Sequence, residues 1–148
     1  DELNRKIKKA LKHQLKAIFC VGEKLEERQN GLTRKVVEEQ LRQGLAGVTV
    51  AAVDNLVIAY EPVWAIGTGV NATPEQAEDV HQFIRELLTE LFSVTIGEQI
   101  RIQYGGSVKP ANAQDLLSQP NIDGALVGGA SLDADSFTEI IKAAENVN

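Results

Sequence analysis

Short apolar runs alternate with amphipathic segments along the whole chain. Four runs have the length and apolar character of strands buried on both faces, at about residues 16–21, 56–60, 100–104 and 124–127. Each run is followed by a polar or glycine-rich loop and then by apolar residues at helical spacing. One more amphipathic helix, over residues 1–14, precedes the first run. The order is therefore a helix and then four βα units, which predicts an α/β fold with a parallel sheet and right-handed crossovers.

The helix after the second run has the clearest start. Thr73 is a good N-cap, Pro74 suits the first helical position, and Gln76 can complete a capping box with Thr73. Apolar residues then recur on one face as far as Leu91. No low-complexity tract or linker interrupts the pattern, so we predict one domain over residues 1–148.

Composition narrows the classes of partner. The 148 residues include 21 acidic and 15 basic side chains, for a net charge of -6, which argues against binding to nucleic acid. It does not argue against a phosphate ligand, because backbone N–H groups bind phosphate without Lys or Arg. A single cysteine excludes an internal disulfide and fits a reducing compartment. No apolar run approaches the roughly 20 residues that a membrane helix needs.

The segment from 59 to 69 carries the strongest chemical signal. Glu61 stands directly at the end of the second apolar run. It is followed by a loop that contains Pro62, Trp64 and two glycines. Proline restrains the entry of such a loop, tryptophan can anchor it, and glycine permits backbone shapes that other residues resist. The pattern predicts a carboxylate on a rigid element beside a lid. Out of context, a salt-bridged carboxylate at a strand end is the ordinary alternative.

Paired glycines follow the last two runs, in Gly105-Gly106-Ser107 and in Gly128-Gly129. The carboxyl ends of parallel strands share one edge, so these loops should converge there with Glu61. A short helix starting near Ala130 would direct N–H groups and a positive dipole end at the same place. The two pairs therefore predict an anion site, although tight strand-to-helix turns are the simpler explanation of either pair alone.

Four segments in this order and spacing resemble the triosephosphate isomerase family. They are 19–23 (FCVGE), 59–69 (AYEPVWAIGTG), 103–108 (QYGGSV) and 126–131 (LVGGAS). The resemblance covers essentially all 148 residues but only the second half of the family's barrel. It implies a four-strand parallel half of a triosephosphate isomerase (TIM) barrel, preceded by a helix. A complete barrel needs about 250 residues, or at least about 200, and the chain starts at Asp1 and has no Met. We therefore expect it to be part of a longer chain.

The resemblance also implies roles for particular residues. Glu61 matches the family's base, which moves a proton between neighbouring carbons of dihydroxyacetone phosphate and D-glyceraldehyde 3-phosphate. The residues that match the phosphate-binding positions are Gly67, Ser107, Gly128 and Gly129. The residues that match the lid, its support and the apolar cover of the base are Pro62, Val63, Trp64, Ala65, Ile66, Thr68, Tyr104 and Leu126. The family implies a small-molecule triose phosphate substrate, no cofactor and no metal, a homodimer, and a cytoplasmic place in glycolysis and gluconeogenesis.

Part of the family's machinery has no counterpart here. The family's Asn and Lys on the first strand, its His on the fourth, and a further Glu just after that His fall outside the match. At the exit of the lid, Val70 and Asn71 stand where a Lys is usual. We expect the isolated chain to be inactive, and to pair with a missing amino-terminal half or to self-associate. The alternative hypothesis is a non-catalytic half-barrel that is structural or binds phosphate weakly. A phosphate-binding half of another barrel enzyme would not explain the lid segment.

The remaining candidates have ordinary explanations. Cys20 lies within an apolar run, so we predict a packed core residue rather than a nucleophile. Glu23 is predicted to brace the lid or a helix. His13 and His81 lie on helical patterns, which favours surface or packing roles for both. No cluster of Cys and His has the spacing of metal ligands.

Overall fold

The computed structural model describes residues 2–66 and 71–147. Residues 67–70 lie outside the described residues, and with them the predicted phosphate donor Gly67 and the lid residue Thr68.

Four parallel strands form one sheet in the order β1-β2-β3-β4, which is also their order along the chain. Their bounds are Ala17–Val21 for β1, Leu56–Tyr60 for β2, Arg101–Tyr104 for β3 and Gly124–Ala125 for β4. The register pairs Cys20 with Ala59 and Ala59 with Gln103, so the carboxyl ends of the strands lie side by side. The predicted parallel α/β arrangement is therefore confirmed.

Seven α-helices lie within the described residues. They are α1 (Glu2–Lys12), α2 (Leu25–Gln29), α3 (Thr33–Leu45), α4 (Pro74–Leu91), α5 (Val94–Gln99), α6 (Pro110–Leu117) and α7 (Ala134–Glu145). The start of α4 follows its sequence signals, because the Thr73 hydroxyl accepts a hydrogen bond from the Gln76 N–H at 3.2 Å and the Gln76 side chain accepts one from the Thr73 N–H at 3.1 Å. None of the helices in this part of the chain is long and apolar enough to span a membrane.

Helices cover one face of the sheet, and the core lies between them and that face. Ile58, Tyr60, Ile102 and Tyr104 point to this covered side and are at most 1% exposed. The opposite face of β1 is open, and Ile18 there is 49% exposed. Among the described residues β1 and β4 each pair with one strand only. The sheet is thus a half-barrel with two outer strands, as predicted.

The prediction for Cys20 was wrong. The residue is exposed, because it alternates with the buried Phe19 and Val21 and therefore points to the uncovered face of β1. An apolar run indicated burial on both faces, but this holds only where a sheet is covered on both sides.

Smaller differences concern the ends of elements. The helix predicted over 1–14 ends at Lys12, and β4 ends at Ala125 rather than at 127. Ile100, expected in a strand, instead follows α5 as its C-cap. The helices α2 and α5 have five and six residues, which is too short for a helical period to show in the sequence.

Candidate active site

A cavity of about 670 Å³ opens at the carboxyl ends of the strands. Several residues that the sequence singled out line it together: Glu61, Ile66, Ser107, Leu126, Gly128 and Gly129. The other described residues predicted to support the lid, which are Pro62, Val63, Trp64, Ala65 and Tyr104, are not among those that line it. The structure therefore brings the predicted base, the described phosphate positions and the apolar pair to one place.

Glu61 is held by the strands on both sides of β2. Its N–H donates to the Val21 carbonyl at 2.7 Å, and the Gly105 N–H donates to the Tyr60 carbonyl at 2.8 Å. A β-carbon at Gly105 would lie 2.5 Å from Cγ of Glu61. A β-carbon at Gly22 would lie 1.9 Å from the Glu61 carbonyl oxygen. Glycine is thus required on both flanking strands for Glu61 to occupy its position.

Cys20 lies close to the Glu61 carboxylate. The pKa of its thiol is raised to about 11, first by partial desolvation, then by the charge of Glu61 and a hydrogen bond to it. The residue as a whole is exposed. At neutral pH the thiol is protonated, which makes it a poor nucleophile but a suitable donor to a carboxylate.

The segment after Glu61 turns at once. Val63–Ala65 form one 3₁₀ turn, with the Ala65 N–H donating to the Pro62 carbonyl at 2.8 Å. Pro62 and Ala65 are buried, whereas Val63 and Ile66 are 48% and 44% exposed. This end of the predicted lid is therefore anchored on one side and exposed on the other.

Glu23 fixes the Trp64 side chain of this segment. The indole N–H of Trp64 donates to Glu23 Oε1 at 2.9 Å, and the Tyr60 hydroxyl donates to the same carboxylate at 3.1 Å. Arg28 pairs with Glu23 at 3.1 Å and stacks 4.5 Å from the centre of the Trp64 ring. The carboxylate is fully buried and has three donors, so Glu23 is the brace that the sequence predicted. Burial, followed by the charge of Glu23, raises the pKa of Tyr60.

Tyr104 lies beneath Gly106. A β-carbon at Gly106 would lie 2.2 Å from the Tyr104 hydroxyl, so this glycine makes room for the phenol. Burial raises the pKa of Tyr104, and the backbone of Ala72 partly offsets this by hydrogen bonding. The Tyr104 hydroxyl nevertheless has no partner at ordinary hydrogen-bond distance and angle among the described residues, so its contact with the Ala72 backbone is weak.

The second glycine pair has a different environment. Apart from the adjoining backbone, no described atom lies within 4 Å of a β-carbon built at Gly128 or Gly129. A 3₁₀ turn, Gly129–Leu132, begins here, near the helix predicted at Ala130. Packing explains Gly105 and Gly106, but it does not explain Gly128 and Gly129, which border the open space of the cavity.

Two polar residues that line the cavity, Lys109 and Ser136, were not predicted from the sequence. Lys109 is the only basic side chain among the described lining residues. The sequence signal that could have identified Lys109 is its position between Gly106 and Pro110, in the loop that follows β3. Within residues 2–66 and 71–147, no group of His, Cys, Asp and Glu side chains is arranged to hold a metal ion.

The profile of the triosephosphate isomerase family matches residues 1–144. Curated relatives named triosephosphate isomerase include those of Carboxydothermus hydrogenoformans, 62% identical over 143 residues, and Chloroherpeton thalassium, 56% identical over 146 residues. A third, from Rhodopirellula baltica, is 62% identical over 140 residues. The alignments cover 96%, 98% and 95% of this chain but only 57%, 58% and 55% of the respective relatives. The chain thus spans somewhat more than half the length of the relatives it matches.

Proposed function

The chain belongs to the triosephosphate isomerase family, and from this we propose that it supplies the base and the phosphate site of a triosephosphate isomerase. The reaction is the interconversion of dihydroxyacetone phosphate and D-glyceraldehyde 3-phosphate. The observation that carries the proposal is the placement of Glu61 in one cavity with Gly128 and Gly129, whose open surroundings suit an anion.

Glu61 is the proposed proton carrier. Its carboxylate takes a proton from the carbon next to the substrate carbonyl, and the electrons of that bond form an enediolate. The resulting acid then returns the proton to the neighbouring carbon. Over the same cycle the hydroxyl proton on the first carbon's oxygen is lost and the oxygen on the second carbon gains one, so no other reagent is consumed. Geometry must hold the base in place for this chemistry, and the close packing of Gly22 and Gly105 around Glu61 supports that role.

The proposed phosphate site relies mainly on backbone donors. Ser107, Gly128 and Gly129 border the same cavity, and N–H groups at the start of a helical turn are suited to anions. Lys109 adds the one positive charge among the described lining residues. Gly67 belongs to the same proposal, as a donor from the lid.

The lid completes the proposed site. Pro62, Val63 and Trp64 form its entry, and Ala65, Ile66 and Thr68 its tip. Tyr104 is proposed to bond the closed lid, in keeping with its position near Ala72. Ile66 and Leu126 line the cavity beside Glu61 and would shield the base and the enediolate from water.

We further propose that activity requires the rest of the barrel. The relatives are longer than this chain by a part that the alignments do not reach, and the resemblance places the Lys and His that stabilise developing charge in that part. Loss of one such donor costs roughly 100- to 1,000-fold in rate, so the isolated chain should have no meaningful turnover. A homodimeric assembly and a cytoplasmic location belong to the same proposal and rest on family membership alone.

A second candidate function is binding without catalysis. The open face of β1, with Ile18 exposed, leaves the sheet incomplete while the phosphate positions are all on this chain. In isolation the chain would then act as a half-barrel that binds phosphate weakly.

The test uses a chimera, called the complete barrel below, in which the amino-terminal part of the Carboxydothermus hydrogenoformans relative precedes residues 1–148. Isomerase turnover is measured for the parent and for Glu61→Asp, Glu61→Ala and the control Glu98→Ala, an exposed carboxylate on α5. Shortening the side chain moves the carboxylate by about 1 Å and should cost roughly 100-fold in kcat, because misplacement of that size has such effects. Glu61→Ala should lower kcat further, and the control Glu98→Ala should leave kcat unchanged.

Parent-like turnover in Glu61→Ala would contradict the proposal. A parent chimera that folds and binds inorganic phosphate at Gly128 and Gly129, but does not turn over substrate, would favour the binding module instead.

A further inference from the structure

We infer that Gln40 is a positioning residue for the Glu61 base, an inference that rests on the proposed function. The Gln40 side chain on α3 holds the main chain of Gly22 with both of its polar atoms. Oε1 accepts a hydrogen bond from the Gly22 N–H at 2.8 Å, and Nε2 donates to the Gly22 carbonyl at 3.1 Å. One amide therefore satisfies both backbone groups of one residue, and it also fixes which end of the amide faces which group.

Gly22 lies where the sheet gives it no second neighbour. It directly follows β1, an outer strand that pairs only with β2 among the described residues. The Gln40 amide, on a helix, supplies the hydrogen-bond partners that no strand of the described sheet gives to Gly22. Its own position is set by the core, because Val37 and Leu41 on the same helix are 0% exposed.

Gly22 in turn packs directly against Glu61. The 1.9 Å that would separate a β-carbon at Gly22 from the Glu61 carbonyl oxygen means that only a bare main chain fits between them. Hydrogen bonds flank this contact on both sides. The Glu61 N–H donates to Val21 at 2.7 Å, and the Val63 N–H donates to Glu23 at 3.1 Å.

A movement of Gly22 must therefore move the Glu61 peptide. The space on the opposite side is also filled, since Gly105 allows no more than its own backbone beside Cγ of Glu61. Gln40 sits at the start of a chain of contacts that runs from the core of α3 through Gly22 to the base. The amide does not itself line the cavity, so its effect on the reaction is through geometry alone.

The competing explanation is that Gln40 only protects the outer edge of β1. Both explanations predict lower stability when the amide is lost. Only the positioning role predicts a fall in kcat with an unchanged KM, because Ser107, Gly128 and Gly129 lie in the segments after β3 and β4, which do not contact Gln40 through Gly22.

The experiment compares four variants of the complete barrel. Gln40→Met keeps the length of the side chain but makes neither hydrogen bond. Gln40→Glu keeps the acceptor for the Gly22 N–H and loses the donor to the carbonyl. Gln43→Met is the matched control on the same helix, where the side chain is exposed and, among the described residues, its amide donates to the Glu39 carboxylate. Val53→Ala is the stability control, since it removes buried volume just before β2, at the opposite end of that strand from Glu61.

For each variant kcat, KM, the affinity for inorganic phosphate and the melting temperature are measured. We expect Gln40→Met to lower kcat by about 10- to 100-fold, as for a displacement of the base by up to about 1 Å, with KM and phosphate affinity within about twofold of the parent. The kcat of Gln40→Glu should lie between those of Gln40→Met and the parent. Val53→Ala should melt earlier and keep its kcat at a temperature where it is folded, and Gln43→Met should match the parent in every measurement.

A Gln40→Met variant that melts earlier but keeps the parent kcat would overturn the inference and leave Gln40 as an edge protector. If that variant does not fold, Gln40→Glu decides by the same criterion. Failure of the proposed function is distinguishable, because it would appear as full turnover in Glu61→Ala. Loss of turnover in Glu61→Ala, together with normal kcat in both Gln40 variants, would refute only the role of Gln40.

Discussion

Replacing Gly105 with alanine should displace Glu61, the proposed base, without removing any polar group. The new β-carbon would lie 2.5 Å from Cγ, 3.2 Å from Oε1 and 3.3 Å from Cδ of Glu61. Carbon atoms prefer separations of about 3.5–4.0 Å, so the carboxylate must retreat by about 1 Å or more. Its backbone cannot absorb this movement, because Gly22 blocks the other side. A misplacement of that size costs roughly 100-fold in rate.

The assay is steady-state turnover of Gly105→Ala in the complete barrel, beside Gly124→Ala as the matched control. A β-carbon at Gly124 would meet its nearest neighbours, atoms of the Gln103 side chain, at 3.7 and 3.8 Å, which is ordinary contact. We expect kcat to fall for Gly105→Ala alone, with the affinity for inorganic phosphate unchanged in both. Parent-like kcat in a folded Gly105→Ala variant would refute the idea that close packing holds the base.

Three further predictions concern other parts of the molecule. Burial lowers the pKa of His81 to about 4. The unfolded chain therefore protonates this side chain at a higher pH than the folded chain does, and the free energy of unfolding should fall by roughly 3 kcal/mol as the pH drops from about 6.5 to 4. Urea titrations should show this pH dependence reduced in His81→Gln and retained in His13→Gln. Arg85 is buried and donates to two backbone carbonyls and a carboxylate, so Arg85→Met should cost about 3–5 kcal/mol in the same titrations. Arg34→Met is the control, because it removes an exposed ion pair with Asp79, and it should lower the free energy of unfolding by less than about 1 kcal/mol. Gly128→Ala places a methyl group in the cavity and should weaken binding of inorganic phosphate by roughly tenfold, or about 1.4 kcal/mol. Calorimetric titration measures the affinity, and the amide chemical shifts that phosphate perturbs in an NMR titration identify the site.

The fold could be predicted from the sequence where local signals agree. The start of α4 is an example, since the capping box of Thr73 and Gln76 is fully formed. The strand β2 is another, because its apolar run is bounded by clear changes in composition and its limits match the prediction. The failure at Cys20 has a physical cause. The residue's exposure depends on which strands lie across from β1, and local sequence carries no information about that.

In the candidate site too, some features could be predicted from the sequence and others could not. The position of Glu61 at a strand end and the convergence of the loops follow from topology, so they could be predicted. The two glycine pairs look alike in sequence, but only the structure shows that Gly106 accommodates Tyr104 while Gly128 borders open space. The double hydrogen bond of Gln40 to Gly22 joins residues 18 positions apart, and no spacing rule identifies such a contact.

The most direct test of the central claim follows the proton itself. The complete barrel and its Glu61→Gln variant are incubated with dihydroxyacetone phosphate in D₂O, and deuterium at the carbons next to the carbonyl is measured by NMR. Glu61→Gln removes the base but keeps the size and polarity of the side chain. If Glu61 carries the proton, deuterium should appear in the product of the parent, and none above the uncatalysed background should appear with Glu61→Gln. Equal incorporation by both proteins would show that another group carries the proton and would contradict the assignment of Glu61.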